Sequence, residues 1–191
     1  DLVKAFIVPV GIVYLEILDI IAVVAIRHND GKALLAGAAF SFRPQSPDLQ
    51  ISRLEKKAAL GARFAMTQPL FSKEAVEEMM EKVAHMEMLI FPGIFPLISA
   101  RNAEFLHNEV PGICVPEFIR NKLAAYDLVE DQRQAAMEFT HELVAQIAPF
   151  VAGLYFISPL NKWDVALEFV KQVRENGWAG SGRHQRFAET A

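Results

Sequence analysis

The sequence predicts an α/β fold built on a parallel sheet, and two observations carry that prediction. Short apolar runs of strand length alternate with longer amphipathic segments. The segments between the runs are long enough for the right-handed crossovers that join parallel strands. With 191 residues, of which 52% are hydrophobic and 22% charged, the chain has the composition of one globular domain with a sizeable core.

Four apolar runs are the predicted strands, parallel and adjacent in sequence order. Leu34–Phe40 is a continuous apolar run that ends before Arg43-Pro44, as a strand covered on both faces does. The other runs are 63–68, Leu89–Ile94 and 153–157, and one additional strand is expected within residues 6–13. Four or five strands suit either a small open sheet or half of a (β/α)8 barrel, and composition does not choose between them.

Helices are predicted between and around these strands, where apolar residues recur at helical spacing. The first covers residues 15–28, in which Ile17, Ile20, Ile21 and Val24 form one face and Asn29-Asp30-Gly31 is the stop signal. The second ends at Gly61. All the predicted helices are 15–28, 50–61, 73–86, 100–108, 116–125, 131–149 and 165–175. We expect residues 1–176 to form one domain and residues 177–191 to be a mobile tail.

Charge and cysteine content narrow the class of protein. The formal net charge is −4, which argues against a general nucleic-acid-binding surface. Cys114 is the single cysteine, so an internal disulfide is excluded and a reducing, cytoplasmic compartment is expected. The five histidines show no metal-ligand spacing, so no metal site is expected. The chain begins at Asp1 without a signal peptide, and we interpret it as part of something longer.

Residues 5–26 are long and apolar enough to raise the question of a membrane span. Glu16 and Asp19 interrupt them, and a central acidic residue costs about 2.5–3.5 kcal/mol on insertion scales. Pro9 and Gly11 break the helical continuity. A buried strand or loop followed by a buried helix is therefore the favoured interpretation.

Polar residues follow several predicted strands at their carboxyl ends, the edge at which ligands bind in parallel α/β folds. They are Ser41, Thr67-Gln68 and Ser158. The Gln68 amide both donates and accepts hydrogen bonds, so it could recognise a heterocycle edge, or it could cap the following loop. Pro92-Gly93-Ile94-Phe95-Pro96 predicts a backbone of fixed shape, suited either to positioning a planar ligand or to packing.

Two further groups of residues have a functional and a structural interpretation. Arg53, Lys56 and Lys57 share one helix face, which could clamp a phosphate or simply be solvated. Asn102 could face a ligand or belong to the cap of the helix that follows Ser99.

Taken together, several motifs resemble the methylenetetrahydrofolate reductase family. The resemblance extends over residues 33–175, and it is closest to the branch fused to a homocysteine methyltransferase module. The motifs are Arg53-Leu54-Glu55-Lys56-Lys57, Gly61-Ala62, Thr67-Gln68-Pro69, Pro92-Gly93-Ile94-Phe95-Pro96-Leu97 and the stretch 101–112. The resemblance implies a parallel (β/α)8 TIM-type barrel, of which this chain covers roughly the second half, with FAD at the carboxyl ends of the strands.

The resemblance implies a set of cofactor-binding residues. Arg53, Lys56 and Lys57 fall on the helix that contacts the FAD phosphates and ribitol. Phe40 falls where the family has an aromatic side chain beside the flavin. Asp1 falls at the turn that ends the fourth strand, near the flavin ring.

It also implies a catalytic and substrate-binding set. Gln68 corresponds to the amide that faces the pterin and the nicotinamide. Asn102 stands where some members have a folate-contacting Gln. Lys162 stands where an Arg pairs with the folate glutamate.

The implied activity is a flavin-dependent reduction of 5,10-methylenetetrahydrofolate to 5-methyltetrahydrofolate, with NAD(P)H as the electron source. The family's general acid is a Glu on the first strand, which we do not find here, so these residues alone are expected to be inactive. The partners implied are a folate, a nicotinamide nucleotide, an N-terminal half-barrel, a homocysteine methyltransferase module and further copies of the chain. The rival interpretation is a non-catalytic half-barrel that assembles with other chains or binds a small molecule.

Overall fold

The structure is a computed structural model that describes residues 7–8, 26–27, 34–42, 46–158 and 163–176. Its strands are β1 (Ile7–Val8), β2 (Ile26–Arg27), β3 (Leu34–Phe40), β4 (Ala62–Pro69), β5 (Leu89–Ile94) and β6 (Tyr155–Ile157). Its helices are α1 (Pro47–Ala59), α2 (Lys73–Lys82), α3 (Ala100–Glu109), α4 (Glu117–Ala124), α5 (Val129–Ile147) and α6 (Trp163–Glu175), with a 3-10 turn at Ala148–Phe150.

The central sheet confirms the predicted parallel architecture. Its strand order is β1-β6-β5-β4-β3-β2, and β3, β4, β5 and β6 are parallel neighbours in sequence order. With helices packed on one side, these four strands form an α/β half-barrel. β1 pairs in parallel with β6, which is where a closed barrel would place its first strand.

One predicted helix is wrong at its end. Ile26 and Arg27 belong to the predicted helix 15–28, yet they form β2 and pair antiparallel with Leu35 and Leu34. The Asn29-Asp30-Gly31 signal is as typical of a turn between antiparallel strands as of a helix stop, so the sequence pattern was ambiguous. Residues 15–25, like the predicted tail 177–191, lie outside the described residues.

The larger hydrophobic core joins the sheet to helices α1, α2, α5 and α6. Ala65, Ile90 and Phe156 project from the strands into this cluster and are fully buried. Phe156 stacks on Phe169 of α6, with the ring centroids 5.7 Å apart. Successive residues of a strand point to opposite faces, so the residues directly before and after these three in their strands lie on the face away from the helices. We call this the inner face.

A second hydrophobic cluster includes residues that follow β4 and β5 at their carboxyl ends. It contains Phe71 after β4 and Leu97 after β5, packed with residues of α3, α4 and α5. In the sequence, all three helices come between β5 and β6, where a simple barrel unit has a single helix. No helix in the described ranges is long and apolar enough to cross a membrane. The apolar segment 5–26 lies outside those ranges, apart from β1 and Ile26.

Candidate functional site at the carboxyl ends of the strands

The carboxyl ends of β3 and β4 are joined by a hydrogen bond between two side chains. The Ser41 hydroxyl donates to Oε1 of Gln68 across 2.7 Å, and both residues are partly buried. The Gln68 amide oxygen is therefore engaged within the protein, while its NH2 group has no hydrogen-bond acceptor among the described residues and remains as a pair of donors. The predicted gathering of polar residues at this edge is confirmed for Ser41, Thr67 and Gln68.

Gln68 lies on a bulge in strand β4. Met66 pairs with Phe91 and Pro69 pairs with Gly93, so β4 has one residue more than β5 between these pairs. Pro69 has no N–H to donate to β5, and Leu70 N donates to the Gly93 carbonyl instead, at 3.1 Å. Bulges re-aim side chains and occur often beside active sites. Pro69 is the last residue of β4, whereas β5 continues through Pro92 to Ile94.

Thr67 connects the bulge to β5. Its hydroxyl accepts a hydrogen bond from Gly93 N at 3.0 Å and donates to the carbonyl of Gln68 at 2.7 Å. The side chain is 2% exposed. A buried hydroxyl with both a donor and an acceptor partner has one orientation, so the backbone on the carboxyl side of Gln68 is held in place.

Tyr155 of β6 completes the connection between the strands. Its hydroxyl donates to the carbonyl of Thr67. A Cβ at Gly93 would lie 2.7 Å from the Tyr155 hydroxyl and 2.9 Å from the Thr67 carbonyl, so the contact requires glycine at position 93. Burial raises the pKa of Tyr155, which keeps the hydroxyl protonated and able to donate.

Reasoning from the sequence alone missed this role for Tyr155. It lies in an apolar run, and its partner Thr67 is 88 residues away in the chain. The tyrosine hydroxyl within an otherwise apolar strand was the one available signal, because such a group needs a partner when buried.

Below the polar edge, the inner face is apolar and aromatic. Phe64 of β4 and Phe91 of β5 meet edge to face, with their centroids 6.1 Å apart. A Cβ on Gly37 would lie 2.2 Å from the Phe64 ring, so the ring covers β3 at a position where only glycine fits. This arrangement gives the site an apolar layer beneath its hydrogen-bonding groups.

Phe40 does not lie on the inner face. It is 4% exposed, belongs to the core cluster with Leu54 of α1, and contacts Phe42 edge to face at 6.2 Å. Its neighbour Ser41 is the residue whose side chain reaches Gln68. The alternation of side chains along the strand explains this placement, which favours a packing role for Phe40.

The basic face of α1 reaches the same strand end. Lys57 Nζ donates to the carbonyl of Ala39 at 2.8 Å, two residues before Ser41. Arg53 is partly buried and Lys56 is exposed, and neither forms an ion pair within the described part of the chain. This geometry is consistent with the predicted clustering of Arg53, Lys56 and Lys57 on one helix face. Within the cluster, Lys57 forms a structural contact with the strand.

Asn102 belongs to the cap of α3. Its backbone N–H donates to the Ser99 hydroxyl at 3.1 Å, and its Oδ1 accepts from Ile98 N at 3.4 Å. This reciprocal arrangement resembles a capping box and matches the structural interpretation of the sequence. The structure shows no contact between Asn102 and Gln68.

Ser158, Asp1 and Lys162 are not part of the group of residues around Gln68 that the structure describes. Ser158 is 4% exposed, and its hydroxyl has no hydrogen-bond partner among the described residues. It directly follows β6, and the structure shows no hydrogen bond between it and Gln68. Asp1 and Lys162 lie outside the described residues.

Comparison with known proteins agrees with this architecture. The sequence profile of the methylenetetrahydrofolate reductase family matches residues 22–174.

The chain belongs to the methylenetetrahydrofolate reductase family. Among solved structures, it resembles a protein from Clostridium thermocellum described as uncharacterized and as binding two copies of 5-methyl-5,6,7,8-tetrahydrofolic acid. The TM-score is 0.53 at 18% identity, and the match covers 75% of this chain and 54% of that one. The chain thus spans about half the length of this relative. No curated protein sequence matches it.

Proposed function

We propose that the chain is the second half of the catalytic barrel of a flavin-dependent folate reductase. The reaction is the reduction of 5,10-methylenetetrahydrofolate to 5-methyltetrahydrofolate, with NAD(P)H as the electron source and FAD as the cofactor. The observation that carries this proposal is the Gln68 amide, held by Ser41 at the carboxyl edge of a barrel of this family.

Gln68 is the proposed folate-recognising and catalytic residue. Because Ser41 occupies its amide oxygen, the NH2 group is left to donate to acceptor atoms on a pterin edge. The folate ligand of the Clostridium thermocellum protein supports a folate as the substrate class. Asn102, whose NH2 group is not used in the helix cap, and Lys162 are proposed as further folate contacts.

The residues of α1 fit the phosphates of FAD. Arg53 and Lys56 carry cationic groups without ion-pair partners in the described structure, beside the strand end at which Lys57 contacts Ala39. When bound, FAD would carry a hydride from the nicotinamide to the folate. We keep Asp1 as a proposed flavin neighbour and assign Phe40 to packing.

The proton donor is proposed to come from another part of the barrel. None of the described strands carries a carboxylate, and the Tyr155 hydroxyl is engaged with Thr67. A general acid on an N-terminal half-barrel would complete the cleft. We propose a cytoplasmic protein, with a nicotinamide nucleotide, that half-barrel, a homocysteine methyltransferase module and further copies of the chain as its partners.

Anaerobic flavin spectroscopy tests the proposal. The protein is loaded with FAD, reduced with NADH or NADPH, and mixed with 5,10-methylenetetrahydrofolate while the flavin absorbance is followed. We expect reoxidation by the folate when the acid-bearing half is supplied, and binding without turnover for the 191 residues alone. Folate binding without reoxidation even with both halves present would favour the rival, a binding half-barrel.

A further inference from the structure

Three contacts fix the conformation of Gln68, one on its side chain and one on each neighbouring peptide group. Ser41 holds the amide oxygen, and the Thr67 hydroxyl holds the Gln68 carbonyl. The Tyr155 hydroxyl holds the Thr67 carbonyl, which belongs to the peptide group that enters Gln68. The first contact comes from the residue that follows β3, the second from β4, and the third from β6 beside Gly93.

We infer that Tyr155 is a positioning residue for Gln68. The bulge gives β4 an extra residue whose peptide groups lack the regular ladder geometry, so their orientation depends on additional hydrogen bonds. Tyr155 supplies that contact for the entering peptide group. This inference rests on the proposed role of Gln68 in folate recognition.

The geometry also explains why the contact is specific to this place. The absence of a Cβ at Gly93 leaves room for the Tyr155 hydroxyl, and the Gly93 N–H donates to the Thr67 hydroxyl. Removing the Tyr155 hydroxyl leaves a carbonyl without that donor and allows the entering peptide group to rotate. The side chain of Gln68 would then sample orientations that do not meet the ligand.

The test compares Tyr155→Phe with Tyr126→Phe, a matched control on the exposed turn after α4. We expect Tyr155→Phe to weaken 5-methyltetrahydrofolate binding about tenfold, which is the effect of losing one hydrogen bond. FAD binding should be unchanged. In a Gln68→Ala background the same change should have no further effect on folate binding, because the two residues act through one group. Equal effects in both backgrounds would overturn the inference.

A ligand-free measurement separates this inference from the proposed function. The Gln68 side-chain NH2 signals in the NMR spectrum should shift or broaden in Tyr155→Phe and stay unchanged in Tyr126→Phe. Unchanged Gln68 signals in Tyr155→Phe overturn the positioning role whatever the folate result. A wild-type protein without folate affinity whose Gln68 signals respond to Tyr155→Phe would keep the positioning role and overturn the proposed function.

Discussion

At the scale of single residues, the site depends on which hydrogen-bonding groups are already used. Ser41 takes the acceptor of the Gln68 amide and leaves its donors, and Thr67 and Tyr155 hold the backbone around it. The sequence motif Thr67-Gln68 predicted the position of the amide but not its orientation. The partners come from other strands, and contacts of that kind are set by the register of the sheet.

Gln68→Glu is expected to weaken folate binding while leaving FAD binding nearly unchanged. The carboxylate can still accept from Ser41, but it has lost the two donors, and an unmade bond of this kind costs about 1–3 kcal/mol. Equilibrium titrations of the protein with 5-methyltetrahydrofolate and with FAD measure both affinities. Loss of FAD with normal folate affinity would show that Gln68 caps the loop and does not recognise the substrate.

Gly93→Ala is expected to destabilise the protein by about 1–3 kcal/mol and also to weaken folate binding, because the added Cβ overlaps Tyr155 and the Thr67 carbonyl. Gly37→Ala is the matched control, since its Cβ meets the Phe64 ring in the apolar layer. Urea unfolding gives the stability and a folate titration gives the affinity. Equal relative losses of folate affinity in the two variants, measured where both are folded, would contradict the assignment of Gly93 to the site.

At the scale of elements, the periodicity of apolar residues predicted most helices and strands closely, and the segments that it left ambiguous are short or irregular. Apolar spacing predicted β3, β5 and the long helices within a few residues. The bulge at Thr67-Gln68 was not predictable, because it depends on the pairing of Pro69 with Gly93. Ile26-Arg27 was misassigned because a run of apolar residues beside a turn signal suits a helix end and a strand equally.

The basic face of α1 gives an element-scale prediction. Arg53→Ala combined with Lys56→Ala should weaken FAD binding and flatten its dependence on salt, since the two charges proposed to contact the FAD phosphates are lost. Lys57 is kept because it holds the Ala39 carbonyl. The pair Lys122→Ala and Lys171→Ala removes the same charge from exposed positions of α4 and α6. Similar losses in both pairs would mean that net charge alone governs FAD binding.

The contact between α3 and α4 should depend on pH. Arg120 donates to both carboxylate oxygens of Glu104, at 2.9 and 3.0 Å, and this hydrogen bonding holds the pKa of Glu104 below its usual 4.5. A depressed carboxyl pKa stabilises the fold above the unfolded value, and that contribution is lost as the pH falls through the folded value.

Glu104→Gln removes the titrating group and should therefore reduce the loss of stability on acidification below pH 4.5. Urea unfolding of both proteins at neutral pH and at successively lower pH values measures the difference. The exposed Glu109→Gln serves as the control. Parallel pH profiles for wild type and Glu104→Gln would show that the ion pair does not contribute.

At the scale of the whole molecule, the chain is a half-barrel of the methylenetetrahydrofolate reductase family, with its polar groups collected at one edge. The alternation of strands and helices predicted the parallel sheet, whereas the choice of a barrel came from the family motifs. Physical patterns in one sequence do not encode how a sheet closes, since closure depends on strands that pair across the whole barrel.

The most direct measurement of the central claim is an NMR titration of the protein with 5-methyltetrahydrofolate, which locates the bound folate. We expect saturable shifts that are concentrated at the carboxyl edge, on Ser41, Gln68, Gly93 and Tyr155, and that are reduced in Gln68→Glu. The contradicting result is the absence of any saturable shift, or shifts centred elsewhere. One such place is the cavity of about 170 Å³ on the α4–α5 side, lined by Tyr126, Asp131, Gln134, Ala135 and Glu138.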